Sequence, residues 1–196
     1  TTLIVSHRVS SVKDADQIHE ILGYMPQKFG LYEDLTVKEN LELYARLHNI
    51  DAEEKKETFA KMLKFTALAP FTDRLAGNLS GGMKQKLGLA CALLAKPKIL
   101  LLDEPSVGVD PISRRDLWAM VKELASDGMS ILWSTSYLDE AEACDEVILL
   151  NHGNLLFSGK PKELTDKVAG RSFVLIDKEN KRRQILTNLL KNGELI

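Results

Sequence analysis

The chain has 196 residues, 44% of them hydrophobic, and a formal charge of -2. That is enough for one domain with an appendage around a real core, and the near-neutral balance supplies no basic stripe of the kind a nucleic-acid partner needs. No apolar run approaches the ~20 residues that span a bilayer, and no secretory leader is visible, so the chain reads as cytoplasmic, serving any membrane by docking to a partner.

Residues 3–5 form a short apolar run, a strand candidate. Residues 18–25 show little periodicity and run into Pro26-Gln27, a loop signal. Thr36-Val37-Lys38-Glu39 has capping-box spacing, and Leu41, Tyr44, Ala45 and Leu47 give the helix that follows an apolar face. Residues 51–68 read as a second helix, charged on one side and apolar at Phe59, Met62, Leu63 and Leu68. Residues 70–78 read as a loop. Ser80 suits the N-cap of the next helix, where Met83, Leu87, Ala90, Cys91 and Leu94 recur at helical spacing until Lys96-Pro97 stops it. Cys91 on that apolar face reads as a reduced core thiol, and Cys144 lies far away without metal-ligand spacing.

Residues 99–102 are apolar at every position, which predicts a strand buried on both faces. Asp110-Pro111 places an N-cap and a first-turn proline ahead of a helix carrying Leu117, Met120, Val121 and Leu124, ended by Gly128. Residues 130–133 predict another buried strand and residues 138–143 a short acidic helix. Asp139, Glu140 and Glu142 mimic a metal cluster there but read as a solvated face. Residues 147–150 and 155–158, joined through His152-Gly153-Asn154, read as a hairpin, and Trp118 and Trp133 fall in apolar patterns as core. The alternation of strand and helix makes the fold class α/β with a mostly parallel sheet. From Phe173 onward follow one strand and a basic helix over 181–191, the start of a small accessory unit.

Two stretches carry chemistry. In Leu79-Ser80-Gly81-Gly82-Met83-Lys84-Gln85-Lys86 the glycines let backbone amides approach a ligand, and the helix start carries partial positive charge, which together make an anion site. In Ile99-Leu100-Leu101-Leu102-Asp103-Glu104-Pro105 a strand delivers two carboxylates to its end, the usual place for ligands in open α/β sheets. Asp103 would hold a magnesium ion through water. Glu104 would take a proton from, or orient, the attacking water in phosphoryl transfer.

Residues 79–90, 99–111 and 133–143 resemble ABC transporter ATP-binding subunits, closest to bacterial drug-efflux types with two cassettes in one polypeptide. Leu22-Gly23-Tyr24-Met25-Pro26-Gln27 resembles the family's Q-loop, and Ser106-Val107-Gly108-Val109-Asp110-Pro111 its D-loop. The resemblance implies ATP and Mg2+ as ligands. It implies that Gln27 touches the magnesium and attacking-water region, that Ser80, Gly81 and Gly82 contact the γ-phosphate of ATP held by an opposite cassette, and that Asp110 couples the two sites. It implies a cassette over residues 21–172, with a helical subdomain at about 29–77 docking to a membrane-spanning permease subunit. Residues 173–196 are then a truncated accessory segment, and the location is the inner face of the cell membrane.

Three departures from the family pattern stand out. No Gly-x-x-x-x-Gly-Lys-Ser/Thr loop occurs in the 196 residues, so the expected fold is a three-layer P-loop NTPase-like core without its phosphate-loop strand. Ser136, in Trp133-Ser134-Thr135-Ser136-Tyr137, stands where the family usually has His. Its hydroxyl is shorter and uncharged, which predicts a slow or degenerate site. Residues 1–16 resemble the switch region of ABC exporters with fused membrane domains and make residues 1–20 an atypical segment: the tail of a preceding cassette, a join between two genes, or chance. His7 within it reads as locally hydrogen-bonded, and His19, His48 and His152 as surface histidines. The leading expectation is an ATP-hydrolysing, energy-coupling subunit of an efflux exporter. The alternatives are a catalytically inactive regulatory cassette that completes a partner's ATP site, and a soluble ABC-type ATPase.

Overall fold

The computed structural model describes residues 21–28 and 30–167. The expected strand at residues 3–5, the exporter-like segment with His7 and the accessory segment from Phe173 lie outside them. The chain divides into two compact units, Thr1–Pro161 and Lys162–Ile196. In chain order the described elements are β1 (Leu22–Met25), α1 (Val37–Leu47), α2 (Ala52–Phe65), short 3-10 turns at Ala69–Phe71 and Ala76–Asn78, and α3 (Gly81–Leu93). Then come β2 (Ile99–Asp103), α4 (Pro111–Ser126), β3 (Ser130–Ser134), α5 (Leu138–Glu142), β4 (Val147–Asn151), β5 (Asn154–Gly159) and α6 (Pro161–Lys167).

β1, β2 and β3 form a parallel sheet with β2 in the middle, and β4 and β5 form an antiparallel hairpin. Leu102 of β2 pairs with Met25 on one side and Trp133 on the other. The fold is therefore α/β with a parallel sheet, as expected. The hairpin turns through His152 and Gly153, both at positive φ (47° and 77°), the backbone that matches the twist of the flanking strands. β1 was not expected as a strand. It has only four residues, and Gly23 interrupts any apolar pattern. The glycine is needed because a Cβ there would lie 2.8 Å from the Ala92 carbonyl and 2.9 Å from Pro97 Cγ, where β1 presses on the end of α3.

The helix starts follow their local sequence. Thr36 caps α1 with both halves of the capping box: the Glu39 N–H donates to Thr36 Oγ1 at 3.2 Å and the Thr36 N–H donates to Glu39 Oε2 at 2.8 Å. The backbone bond from Thr36, then that from its side chain, holds the Glu39 carboxyl below its ordinary value of 4.5. A depressed folded-state value contributes stability above the unfolded value, and that contribution is lost as pH falls through the folded one. Thr36→Ala is expected to lower the thermal midpoint by about 2–4 °C near neutral pH, with a smaller difference in acid. An unchanged midpoint in a neutral-pH melt would show that the box contributes nothing.

Two apolar clusters share α3. Its Leu87, Ala90, Cys91 and Leu94 flank join Val37, Leu41, Ala45, Phe59 and Leu68 of the α1–α2 region. Leu89, Ala92 and Leu93 pack instead on Met25, Leu100, Leu102, Leu117 and Trp133. The single apolar stripe expected for α3 is thus only half of its buried surface: a helix wedged between two layers is apolar on both sides. Cys91 is a free thiol buried within it, as expected of a core residue, and burial pushes that thiol far up. Trp118 and Trp133 meet edge to face at 4.9 Å between centroids.

The expectation that β2 and β3 are buried on both faces is corrected. Leu100 and Leu102 are buried, but Ile99 is 36% exposed and Leu101 is half-buried; in β3 only Trp133 and Ser134 are buried. Among the described residues α3 and α4 cover one face of the sheet, and alternating side chains of each strand point to the other.

Candidate functional site at the strand ends

The parallel sheet brings Gln27, Asp103, Glu104 and Ser136 of the expected site residues to one edge. Asp103 is the last residue of β2, and Glu104 follows it in the left-handed region, with φ of 45°. A non-glycine residue at positive φ is uncommon and clusters at functional sites. Gln27, two residues beyond β1, donates from Nε2 to Glu104 Oε2. Ser134 closes β3 directly opposite Asp103 in the register. Its hydroxyl donates to Asp103 Oδ1 at 2.8 Å and accepts the Glu104 N–H at 2.8 Å. Ser136, two residues past the strand, is exposed at the same edge.

Sequence reasoning missed Ser134. Its signal appears only once β3 is paired in register with β2, because nothing within 30 residues of chain connects it to Asp103. Sequence reasoning also missed Tyr24, half-exposed one residue before the end of β1. Its phenol is pushed above the ordinary value, first by desolvation and then by the Asp103 carboxylate.

The glycine-bearing helix start forms a second group. Ser80 accepts the Met83 N–H at 3.3 Å as N-cap of α3. A Cβ on Gly82 would lie 2.3 Å from Ser113 Cβ, and one on Gly81 would lie 3.1 Å from the Gly108 carbonyl. The start of α3 is therefore seated on the loop before α4 at Gly81 and on the first turn of α4 at Gly82, and only glycine permits the approach at position 82. Asp110 caps α4 by accepting from the Ile112 and Ser113 N–H groups at 3.1 and 3.0 Å. Hydrogen bonds from the Ser113 side chain, and then from its backbone, hold the Asp110 carboxyl below its ordinary 3.8. Ser80, Gly81, Gly82 and Asp110 thus form one cluster and Gln27, Asp103, Glu104, Ser134 and Ser136 another, with the 104–110 loop running between them.

The solvated reading of the acidic helix is corrected at Glu140, which is 7% exposed. Its Oε2 accepts from Ser106 Oγ at 2.9 Å, Trp133 Nε1 at 3.1 Å and Thr135 Oγ1 at 2.5 Å. A buried carboxylate needs such donors to offset its desolvation. Asp139 is exposed and pairs with Arg114 at 2.8 Å. Among the described residues no group of three His, Cys, Asp or Glu side chains is gathered as for a metal ion. No described helix is long and apolar enough to cross a membrane.

The model of the family described as ABC transporter matches residues 2–107. A relative in Escherichia coli (strain K12), named "Probable multidrug ABC transporter ATP-binding protein YbhF", is 63% identical over 180 residues, which cover 92% of this chain and 31% of that protein. The human glucosylceramide transporter ABCA12 is 36% identical over 174 residues, 88% of this chain and 7% of that protein. The chain thus spans less than a third of the curated relatives it matches. Among solved structures, cbiO1 from Clostridium perfringens, part of the ABC transporter complex cbiONQ, superposes with a TM-score of 0.71 at 24% identity. The match covers 94% of this chain and 70% of that one. A dimeric post-hydrolysis ATP-binding cassette bound to ADP and Pi superposes with a TM-score of 0.65 at 27% identity, covering 76% of this chain and 68% of that one. With its strand-end carboxylates, its glycine-seated helix start and these likenesses, the chain belongs to the ABC transporter family, as part of an ATP-binding subunit.

Proposed function

We propose that these residues serve the ATP-hydrolysing, energy-coupling cassette of an ABC exporter. The observation that carries this reading is the Gln27–Glu104 hydrogen bond beside the Ser134 bridge to Asp103, three strand ends converging on one acidic point. ABC ATP-binding domains are ATPases coupled to transport. Glu104 is the group placed to accept a proton from the attacking water, and its left-handed backbone turns it out of the sheet edge. Gln27 orients that carboxylate through its Nε2, which leaves its Oε1 for a metal. Asp103, steadied by Ser134 on one oxygen, offers the other. An all-oxygen pair of this kind suits Mg2+, which is typically held by one or two carboxylates together with water and substrate phosphates. Bound there, Mg2+ would supply charge neutralisation on the nucleotide's phosphates.

The start of α3 serves a second nucleotide. Ser80 accepts from Met83, which leaves its own proton to donate, and the amides of Gly81 and Gly82 open the helix. These groups would meet the γ-phosphate of ATP held by a second cassette, with Asp110 coupling the two sites. Residues 21–172 form the cassette, and the α1–α2 region within about 29–77 docks to a membrane-spanning permease on the cytoplasmic face. The multidrug name of the Escherichia coli relative supports export.

The test is phosphate release from Mg·ATP by the intact polypeptide that carries these residues. Steady release, abolished by EDTA, is expected. Bound ATP analogue with no release would overturn the catalytic reading in favour of a regulatory cassette completing a partner's site. Ser136 favours that second reading, because an exposed hydroxyl stands where the family usually presents an imidazole. If the site is active but slow, Ser136→His is expected to raise the rate about tenfold by adding a donor at the γ-phosphate. An unchanged rate would show that Ser136 does not limit hydrolysis.

A further inference from the structure

Glu140 gathers three hydrogen-bond donors from two separate stretches of chain, residue 106 and residues 133–135. Ser106 lies two residues beyond Glu104, in the loop that leads to Asp110. Trp133 and Thr135 flank Ser134, whose hydroxyl carries the Asp103 and Glu104 contacts. Arg114, four residues into α4, places its Nε 3.5 Å from Glu140 Oε1, an ion pair too long to be a hydrogen bond. The same guanidinium binds Asp139 at 2.8 Å and covers the Tyr137 ring, 4.1 Å from its centroid. An apolar side chain of similar size would satisfy packing at such a place at lower desolvation cost. A carboxylate taking three hydrogen bonds on one oxygen does something packing does not: it fixes three backbone segments in register.

We propose that Glu140 is a positioning residue for hydrolysis. It clamps the loop after β2 to the end of β3, and so holds Glu104 and Ser134 at their mutual distance. The proposal rests on the ATPase reading above. Glu140 itself touches neither nucleotide nor water in this role. In Glu140→Gln the amide either turns its N–H donors on Ser106, Thr135 and Trp133, which breaks the clamp, or keeps its oxygen on them and sets those N–H donors against the Arg114 guanidinium; in both arrangements the charge that strengthens the three hydrogen bonds is gone.

The experiment compares wild type, Glu140→Gln and Ser106→Ala in two readouts. The first is amide hydrogen exchange on the chain without nucleotide. The Glu104 amide, bonded to Ser134, is expected to exchange about tenfold faster in Glu140→Gln, while amides of α1 such as Asn40 keep their wild-type rates. Acceleration of all amides together would mean a merely structural role and would overturn the proposal, as would no change at Glu104. The second is steady-state Mg·ATP hydrolysis by the intact polypeptide. Here kcat is expected to fall by about one to two orders of magnitude at unchanged KM, and Ser106→Ala is expected to add little to Glu140→Gln in the double variant. Equal kcat in Glu140→Gln and wild type would overturn the proposal. Should Glu140→Gln fail to fold, Ser106→Ala, which leaves the carboxylate in place, carries both readouts. A wild-type protein that releases no phosphate sinks the ATPase reading instead, and the exchange at Glu104 still decides whether the clamp exists.

Discussion

Glu104→Gln in the intact polypeptide is expected to lower phosphate release by about 10²–10⁴-fold while ATP binding persists. The substitution keeps the size of the side chain and its reach toward Gln27, so the strand end keeps its shape. It removes the only property the proposed chemistry needs from this atom, the ability to accept a proton from water. Binding should survive because phosphate contacts come from other groups, and trapped nucleotide is the expected companion of slow hydrolysis. Glu123→Gln, on the exposed side of α4, is the control for general effects of losing a carboxylate. Near-wild-type release in Glu104→Gln would remove Glu104 from the chemistry and return the role to another group at the sheet edge.

The second large effect is expected at Gly82. A Cβ there would overlap Ser113 Cβ at 2.3 Å, an approach at which one of the two helices must move. Because Ser113 meets the glycine with its Cβ and not with the end of a flexible chain, rotation about χ1 offers no relief. Gly82→Ala is therefore expected to cost about 1–3 kcal/mol of stability and to displace the start of α3 from the start of α4. Gly81→Ala, facing the Gly108 carbonyl at 3.1 Å, should be much milder. Thermal unfolding of the two variants checks this order. Adding Ser113→Gly to Gly82→Ala should recover much of the loss, less the helix penalty of a glycine at position 113. If the pair is no more stable than Gly82→Ala alone, the clash is not the cause. In the transport setting the same displacement would weaken the contact between Ser80, Gly81, Gly82 and a second cassette's nucleotide, so hydrolysis should fall further than stability alone explains.

Read alone, the amino-acid order specifies what acts over a turn or less. Thr36 and Glu39, Ser80 and Met83, and Asp110 and Ser113 are each three residues apart, so cap chemistry was legible before any tertiary contact was known. The same holds for the hairpin around His152 and Gly153, and for the strand that carries Asp103 and Glu104 to its end. Family motifs pointed to Gln27, and the sheet then placed it on Glu104, 77 residues away. The rest depends on contacts between distant segments. β1 is a strand because Leu22 to Met25 pair with residues 99–102, and its own four residues carry too little pattern to show it. The second face of β2 is half-exposed because burial depends on which layers arrive, and an apolar run cannot report that. Glu140 looked like one more charge on an acidic helix until Ser106, 34 residues earlier, and Trp133 converged on it. Caps and turns are local in chain and space alike. A carboxylate's solvation, a serine's partner across a parallel ladder and the covering of a sheet face are set by segments tens of residues distant, and only folding brings those into contact.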